Sequence, residues 1–164
     1  MIFVTIGSSH FGFTRLIAEV DRLAGVGALS DVVAQIGETE YEPQHCFWQR
    51  FLTPAQFQAN MQKADFVICH AGCGTLEEGL RRHAKMIVVP RLGQRKEAPD
   101  DHQLEIARLL TARNRILLAY EVQELAACVR QVHDWTPYFA PPRVGNSVVE
   151  YITEFITREV ASHG

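Results

Sequence analysis

Within nine positions, residues 70–78, the run His-Ala-Gly-Cys-Gly-Thr-Leu-Glu-Glu sets an imidazole, two glycines one residue apart, a thiol, a hydroxyl and two carboxylates. Glycines let a backbone come close to a ligand, and the unpaired amides of a helix start attract phosphate oxygens. An anion site is the chemistry this spacing predicts. A second cluster, Gly7, Ser8, Ser9 and His10, follows the apolar start "MIFVTI" and brings more amides, two hydroxyls and another imidazole.

Two familiar phosphate-binding devices do not fit. The dinucleotide fingerprint wants a third glycine where Glu77 stands, and an acid near the end of the next strand, where Pro90 and Arg91 stand. The P-loop wants a lysine where "GSSHFGF" has Phe13. A mononucleotide diphosphate held without either device remains, and a nicotinamide-dependent oxidoreductase is disfavoured. No metal site is expected, because Cys69, His70 and Cys73 straddle a strand end and a turn with no fourth ligand nearby. Cys46, Cys69, Cys73 and Cys128 show no CxxC spacing, so neither a disulfide framework nor a zinc ribbon is indicated, and no cofactor is called for.

These groups converge only if strands deliver them to one end of a sheet. "MIFVTIG", "DVVAQIG", "HCFWQRF", "FVICH", "MIVVP" and "ILLA" read as strands. "FTRLIAEVDRLA", "TPAQFQANMQKA", a segment from about Thr75 to His83, "DHQLEIARLLTAR" and "VQELAACVRQVHD" read as helices, with Thr53 as a cap and Pro54 in the first turn of the second. Alternation of helices with strands apolar on both faces predicts an α/β fold, a mostly parallel sheet wrapped by helices. Ligands of such sheets sit beyond the carboxyl ends of the strands, where Gly7 to Phe13 and His70 to Thr75 both fall.

With 164 residues, 47% of them apolar, the chain is most simply one domain. Its formal charge of −3 argues against a general nucleic-acid binder. From Arg81 to Lys96 there are six Lys or Arg residues and no acid; this run is either a solvated face or a contact for a phosphate, an acidic partner or an anionic membrane surface. No secretory leader is visible and no stretch approaches the roughly 20 apolar residues that span a bilayer, so the expected location is cytoplasmic or peripheral.

In combination, "HAGCGTLEEGL", "KMIVVPR" and "DDHQLEIARLL" resemble the donor-binding half of GT-B nucleotide-sugar glycosyltransferases, the family 28 C-terminal domain. The likeness is strongest to the small stand-alone Alg13-like proteins, including bacterial exopolysaccharide subunits of the PssE type, and "MIFVTIGSSHFGFTRLI" extends it over nearly the whole chain. It implies a Rossmann-like sheet with helices on both faces, a single half of a GT-B fold.

The resemblance also implies roles. A UDP-sugar donor would set its diphosphate at the amides of Gly72, Cys73, Gly74 and Thr75, with Gly7, Ser8 and Ser9 as a second wall; two ordinary turns are the plain alternative for that first loop. Glu78 matches the glutamate that accepts hydrogen bonds from the ribose hydroxyls, although the Thr75 to Glu78 spacing also suits a capping box. His70 either donates to a phosphate, offsetting charge on the departing UDP, or is a structural histidine. His102 and Gln103, with Asp101 beside them, match contacts to the sugar hydroxyls, while Asp100 and Asp101 also suit helix caps. Phe51 and Leu52 fall where the family's loop cradles the uracil, and His10 is the one local candidate for the catalytic base. Arg91 and Arg95, in a loop long enough to cover the donor, would suit a carboxylated sugar.

Residues 1–164 thus read as a single donor-binding domain with an amphipathic helix at about 144–160, striped by Val144, Val148, Ile152, Phe155, Ile156 and Val160. A complete GT-B enzyme needs two such halves. The resemblance implies that the other is a membrane-anchored Alg14-like or PssD-like chain that binds a lipid-linked acceptor and docks partly through this helix, holding the protein at the inner face of the membrane. Alone, the chain is expected to be inactive and able to self-associate. The expected reaction is inverting transfer of a sugar from a UDP-sugar to the lipid-linked acceptor; the alternative is a non-catalytic regulatory or scaffold subunit that improves a membrane-associated partner.

Overall fold

Successive side chains of the first strand enter two different cores, which is how one short apolar run comes to be covered on both sides. The computed structural model describes residues 1–139. In β1 (Ile2–Thr5), Ile2 and Val4 join one buried cluster and Phe3 joins the other. β4 (Phe66–Cys69) divides in the same way, with Phe66 and Ile68 on the first side and Val67 and Cys69 on the second. With β2 (Val32–Gln35), β3 (Phe47–Gln49), β5 (Met86–Val88) and β6 (Leu117–Leu118), these strands form a six-stranded sheet in the order β3-β2-β1-β4-β5-β6. Every pairing is parallel, and Ile2 lies opposite Val32 on one side and Phe66 on the other.

α1 (Thr14–Gly25) brings Leu16, Ile17, Val20 and Leu23 onto the first face, and α5 (Leu125–Val132) adds Leu125, Val129 and Val132. Each such side chain contributes about 2 kcal/mol of burial free energy before chain entropy is charged against it. The second face is covered by α2 (Pro54–Lys63), α3 (Cys73–Arg81) and α4 (His102–Ala112), through Met61, Leu76, Leu80, Ile106 and Leu110 among others. The expected parallel sheet with helices on both faces is therefore the observed one.

Strand order reverses between β1 and β4. The chain leaves β1 for α1 on one face and β4 for α3 on the other, so a crevice opens between the two loops at the carboxyl ends of the strands. One wall of that crevice depends on α2. Its start is fixed by Thr53, whose hydroxyl accepts from the Gln56 amide while the Gln56 side chain accepts from the Thr53 amide, with Pro54 at the first helical position.

α3 begins two residues before the expected Thr75. Gly72, extended at φ −76° and ψ 132°, is its N-cap, so Thr75 and Glu78 lie inside the helix and form no capping box. The expected helix at about 144–160, with its stripe from Val144 to Val160, lies outside the described residues.

Candidate functional site

Gly7 turns the chain out of β1 with φ +73°, a conformation that favours glycine. Its amide donates to the Thr5 hydroxyl (3.2 Å), which in turn donates to the Gln35 side-chain oxygen (2.9 Å), and the Gln35 Nε2 donates back to the Gly7 carbonyl (3.3 Å). Thr5 and Gln35 are buried at the ends of β1 and β2, so the turn is pinned from beneath.

The second loop turns on His70, the residue after β4. The residue is 7% exposed, and its Nδ1 is buried without a hydrogen-bond partner. Burial, and then the charge of Arg91, push its pKa down to about 4 against the opposing hydrogen bond with Thr5, so at neutral pH the imidazole is uncharged.

Between the loops lies an open cleft of about 440 Å³. Gly7, Ser8 and Ser9 form one side; His70, Gly72, Cys73, Gly74 and Thr75, with the first amides of α3, form another. Leu52, Pro54, Phe57 and Gln58 close the third side, and Gln35 completes the lining. Nine of the residues named from the sequence therefore converge here: Gly7, Ser8, Ser9, Leu52, His70, Gly72, Cys73, Gly74 and Thr75. Sequence reasoning missed Gln35, Pro54, Phe57 and Gln58. Only the QIG turn after β2 and the Thr53 cap pointed their way, and neither signalled a cleft wall.

The remaining candidates stand off the wall. Glu78 accepts from Arg81 Nη2 (2.7 Å) and from Arg82 Nε, and Arg82 also reaches Gln58. Burial would raise its pKa, but the hydrogen bonds from Arg81 and Arg82 outweigh that and keep it ionised. Phe51 is 47% exposed beside Leu52. His10 is exposed, with its ring 4.2 Å from that of Phe11. Asp101 makes no side-chain cap of α4; it accepts from the Gly93 amide (2.8 Å), and it is Asp100 that accepts from the His102 amide (3.1 Å). His102 is exposed near Asp100 and Glu105, and Gln103 accepts from the Arg91 amide (3.1 Å).

The basic run is largely engaged within the chain. Arg81 and Arg82 pair with Glu78, Lys85 donates to the carbonyls of Val132 and His133, and Arg95 pairs with Glu121. Arg91, offered above as a ligand for a carboxylated sugar, is 1% exposed and cannot meet one, because backbone carbonyls occupy its guanidinium. Among the described residues, no group of three metal-binding side chains occurs and no helix is long and apolar enough to cross a membrane.

The fold has relatives. The model of the glycosyltransferase family 28 C-terminal domain matches residues 1–134. Human UDP-N-acetylglucosamine transferase subunit ALG13 is 28% identical over 117 residues, 66% of this chain and 10% of that protein. Among solved structures, the glycosyltransferase SsfS6 of Streptomyces sp. SF2575, complexed with thymidine diphosphate, superposes with a TM-score of 0.58 over 98% of this chain and 37% of its own, at 18% identity. The glycotransferase of kitacinnamycin gives 0.59 over 99% and 39%, and MurG of Acinetobacter baumannii 0.53 over 80% and 40%, both at 18% identity. At these identities the structural likeness is one of fold, and the chain spans a tenth of the human relative and about two-fifths of the solved ones. With the family match running from β1 through α5, the chain belongs to the glycosyltransferase family 28 C-terminal domain, and its sheet is one half of a GT-B fold.

Proposed function

We propose that this chain, over residues 1–164, is the donor-binding half of a UDP-sugar glycosyltransferase. The observation that carries the reading is the meeting, at the switch point of the sheet, of the Gly7–Ser9 turn with the amino end of α3. Amides and hydroxyls there suit a diphosphate, and the helix dipole adds a favourable field. Leu52 and Phe57 supply an apolar wall for the base. Glu78 takes the ribose hydroxyls by exchanging its bonds with Arg81 and Arg82, and Asp101, His102 and Gln103 meet the sugar by movement of the loop before α4.

The acceptor is lipid-linked and comes with a separate membrane-anchored chain, which keeps the complex at the cytoplasmic face. A relative named as a transferase subunit supports this arrangement. The cleft itself supports a catalytic base outside its own lining, either the exposed His10 of the first loop or a group of the partner chain. His70 with a pKa of about 4 is too weak a base to take a proton from a sugar hydroxyl at neutral pH, and burial pushes Cys73 upward. The same observation favours a second reading, a non-catalytic subunit that improves its partner.

Calorimetric titration with UDP tests the first step, and no measurable heat at millimolar UDP would remove the proposal. Transfer assays with the partner chain separate the two readings. Glu78→Gln is expected to weaken both UDP and uridine by about tenfold through the shared ribose and to slow transfer; unchanged transfer favours the helper role.

A further inference from the structure

None of the side chains lining the cleft is a lysine, arginine or carboxylate, and its imidazole is neutral. An anion bound there would meet no cation on the wall. One lies behind it. Arg91, the third residue beyond β5, is among the largest fully buried side chains. Its Nη1 donates to the carbonyl oxygens of Phe11 (2.7 Å), Gly12 (3.1 Å) and Glu97 (3.2 Å), and its Nη2 to that of Ile6 (3.0 Å). Three of these four carbonyls belong to the connection from β1 to α1, the one that carries Gly7, Ser8 and Ser9.

No carboxylate pairs with this guanidinium among the described residues. Glu97, whose charge acts on Arg91 against the effect of burial, is committed to Arg15 through two bonds (2.7 and 3.0 Å) and accepts from the Leu92 amide (3.1 Å). Phe13 covers Arg91 with its ring centroid 5.0 Å away, and the Nε of Arg91 has no partner. A buried guanidinium solvated mainly by carbonyls is costly, and an apolar side chain would fill the same volume more cheaply. The arrangement has two consequences for the cleft. Carbonyls drawn behind the connection leave the amides of Ser8 and Ser9, which have no acceptor among the described residues, for a ligand. The charge also reaches the wall, since after burial it is the next cause lowering His70.

We propose that Arg91 is a positioning residue for the anion. It holds the connection between β1 and α1 by its carbonyl oxygens so that the Ser8 and Ser9 amides are preset toward the cleft, and it supplies from behind the positive potential that the walls lack. The inference rests on the cleft being a diphosphate site.

The test is calorimetry of the full chain with UDP and with uridine, which lacks the phosphates, on the wild type, Arg91→Lys and Arg91→Gln, with melting temperatures measured alongside. Arg91→Lys keeps the charge and loses the fork, and is expected to weaken UDP about tenfold while leaving uridine unchanged. Arg91→Gln, losing the charge too, weakens UDP further. UDP affinity unchanged, or UDP and uridine weakened equally, overturns the positioning role while the cleft reading stands. A wild type that binds uridine but gains nothing from the phosphates overturns both. Should neither variant fold, backbone order parameters of residues 8–12 in the free wild type decide: values matching β1 are expected, and order that appears only with UDP overturns the presetting.

Discussion

A Cβ placed on Gly72 would lie 2.1 Å from Nε2 of His70, so the imidazole occupies the space that any side chain at position 72 would need. From the other side a Cβ on Gly7 would come within 2.8 Å of the same ring at Cε1. The ring is held between two glycine turns, one from each loop of the cleft. Gly7 and Gly72, which look in the sequence like room for a ligand, are, before any ligand arrives, room for His70.

This arrangement separates two causes of strain. Gly72 has φ −76°, which any residue adopts, so Gly72→Ala should cost stability only through the ring, by about 1–3 kcal/mol. Gly7 combines the same steric conflict with φ +73°. In a His70→Ala background Gly72→Ala should therefore become nearly neutral, whereas Gly7→Ala should remain destabilising. Urea melts of the two double-mutant cycles check this, and equal coupling at both positions would refute it.

The same histidine predicts a pH dependence. Its native pKa of about 4 lies below the ordinary 6.5, chiefly from burial. Above pH 6.5 both folded and unfolded states are neutral at this site and it contributes nothing. As pH falls from 6.5 toward 4 the unfolded chain takes up a proton that the folded chain refuses, so stability declines, by up to about 3 kcal/mol. His70→Asn should flatten that decline relative to wild type in chemical denaturation between those pH values. Parallel curves for the two proteins would show that His70 titrates normally.

What the sequence disclosed followed from local pattern. "MIFVTIG" and "FVICH" announce central strands because both faces of each are buried, and Thr53 with Pro54 announces the start of α2. The glycine loops could be placed on the cleft because a parallel sheet leaves little choice of where strand ends point. Arg91 could not be read this way. In "RLGQRKEAPDD" it looks like one more solvated charge, and its burial comes from carbonyls of the β1 to α1 connection, about 80 residues away in the chain. The pairing of Glu78 was hidden for the opposite reason: its position matches a ligand contact, and the sequence does not show that Arg81 and Arg82, three and four residues on, hold its oxygens in the free chain.

Asp21 escaped notice in the sequence because it sits between Val20 and Leu23 on an otherwise ordinary amphipathic helix. It is 2% exposed, and its carboxylate accepts from the Tyr41 hydroxyl (2.7 Å) and the amides of Gln44 (2.9 Å) and His45 (2.7 Å), tying the segment before β3 to α1. Burial acts to raise its pKa, but those hydrogen bonds prevail and hold it below the usual carboxylate range. Its stabilisation is therefore present above about pH 4 and is lost as pH falls through the lowered native value. Asp21→Ala should cost about 3 kcal/mol and Tyr41→Phe about 1 kcal/mol. Thermal melts at neutral pH in which Asp21→Ala matches wild type would contradict the anchoring role.

Cys73 offers a chemical reporter of the cleft. It is exposed as the first residue of α3, whereas Cys69 is fully buried with its thiol pushed up to about 12, and Cys46 is partly buried with its thiol near 11. Burial, with Glu77 adding to it, raises Cys73 as well, so its alkylation should be slow at neutral pH and quicken as the solution is made alkaline. Iodoacetamide followed by peptide mass spectrometry should find Cys73 modified ahead of Cys69, Cys46 and Cys128 in the folded protein. If a diphosphate rests on the α3 amides, saturating UDP must cover the neighbouring thiol, and the rate should fall about tenfold or more because only the unliganded fraction reacts. Uridine, lacking the phosphates, should protect less. A Cys73 rate indifferent to UDP, in a protein that calorimetry shows to bind it, would move the nucleotide away from the two glycine loops and onto another surface of the domain.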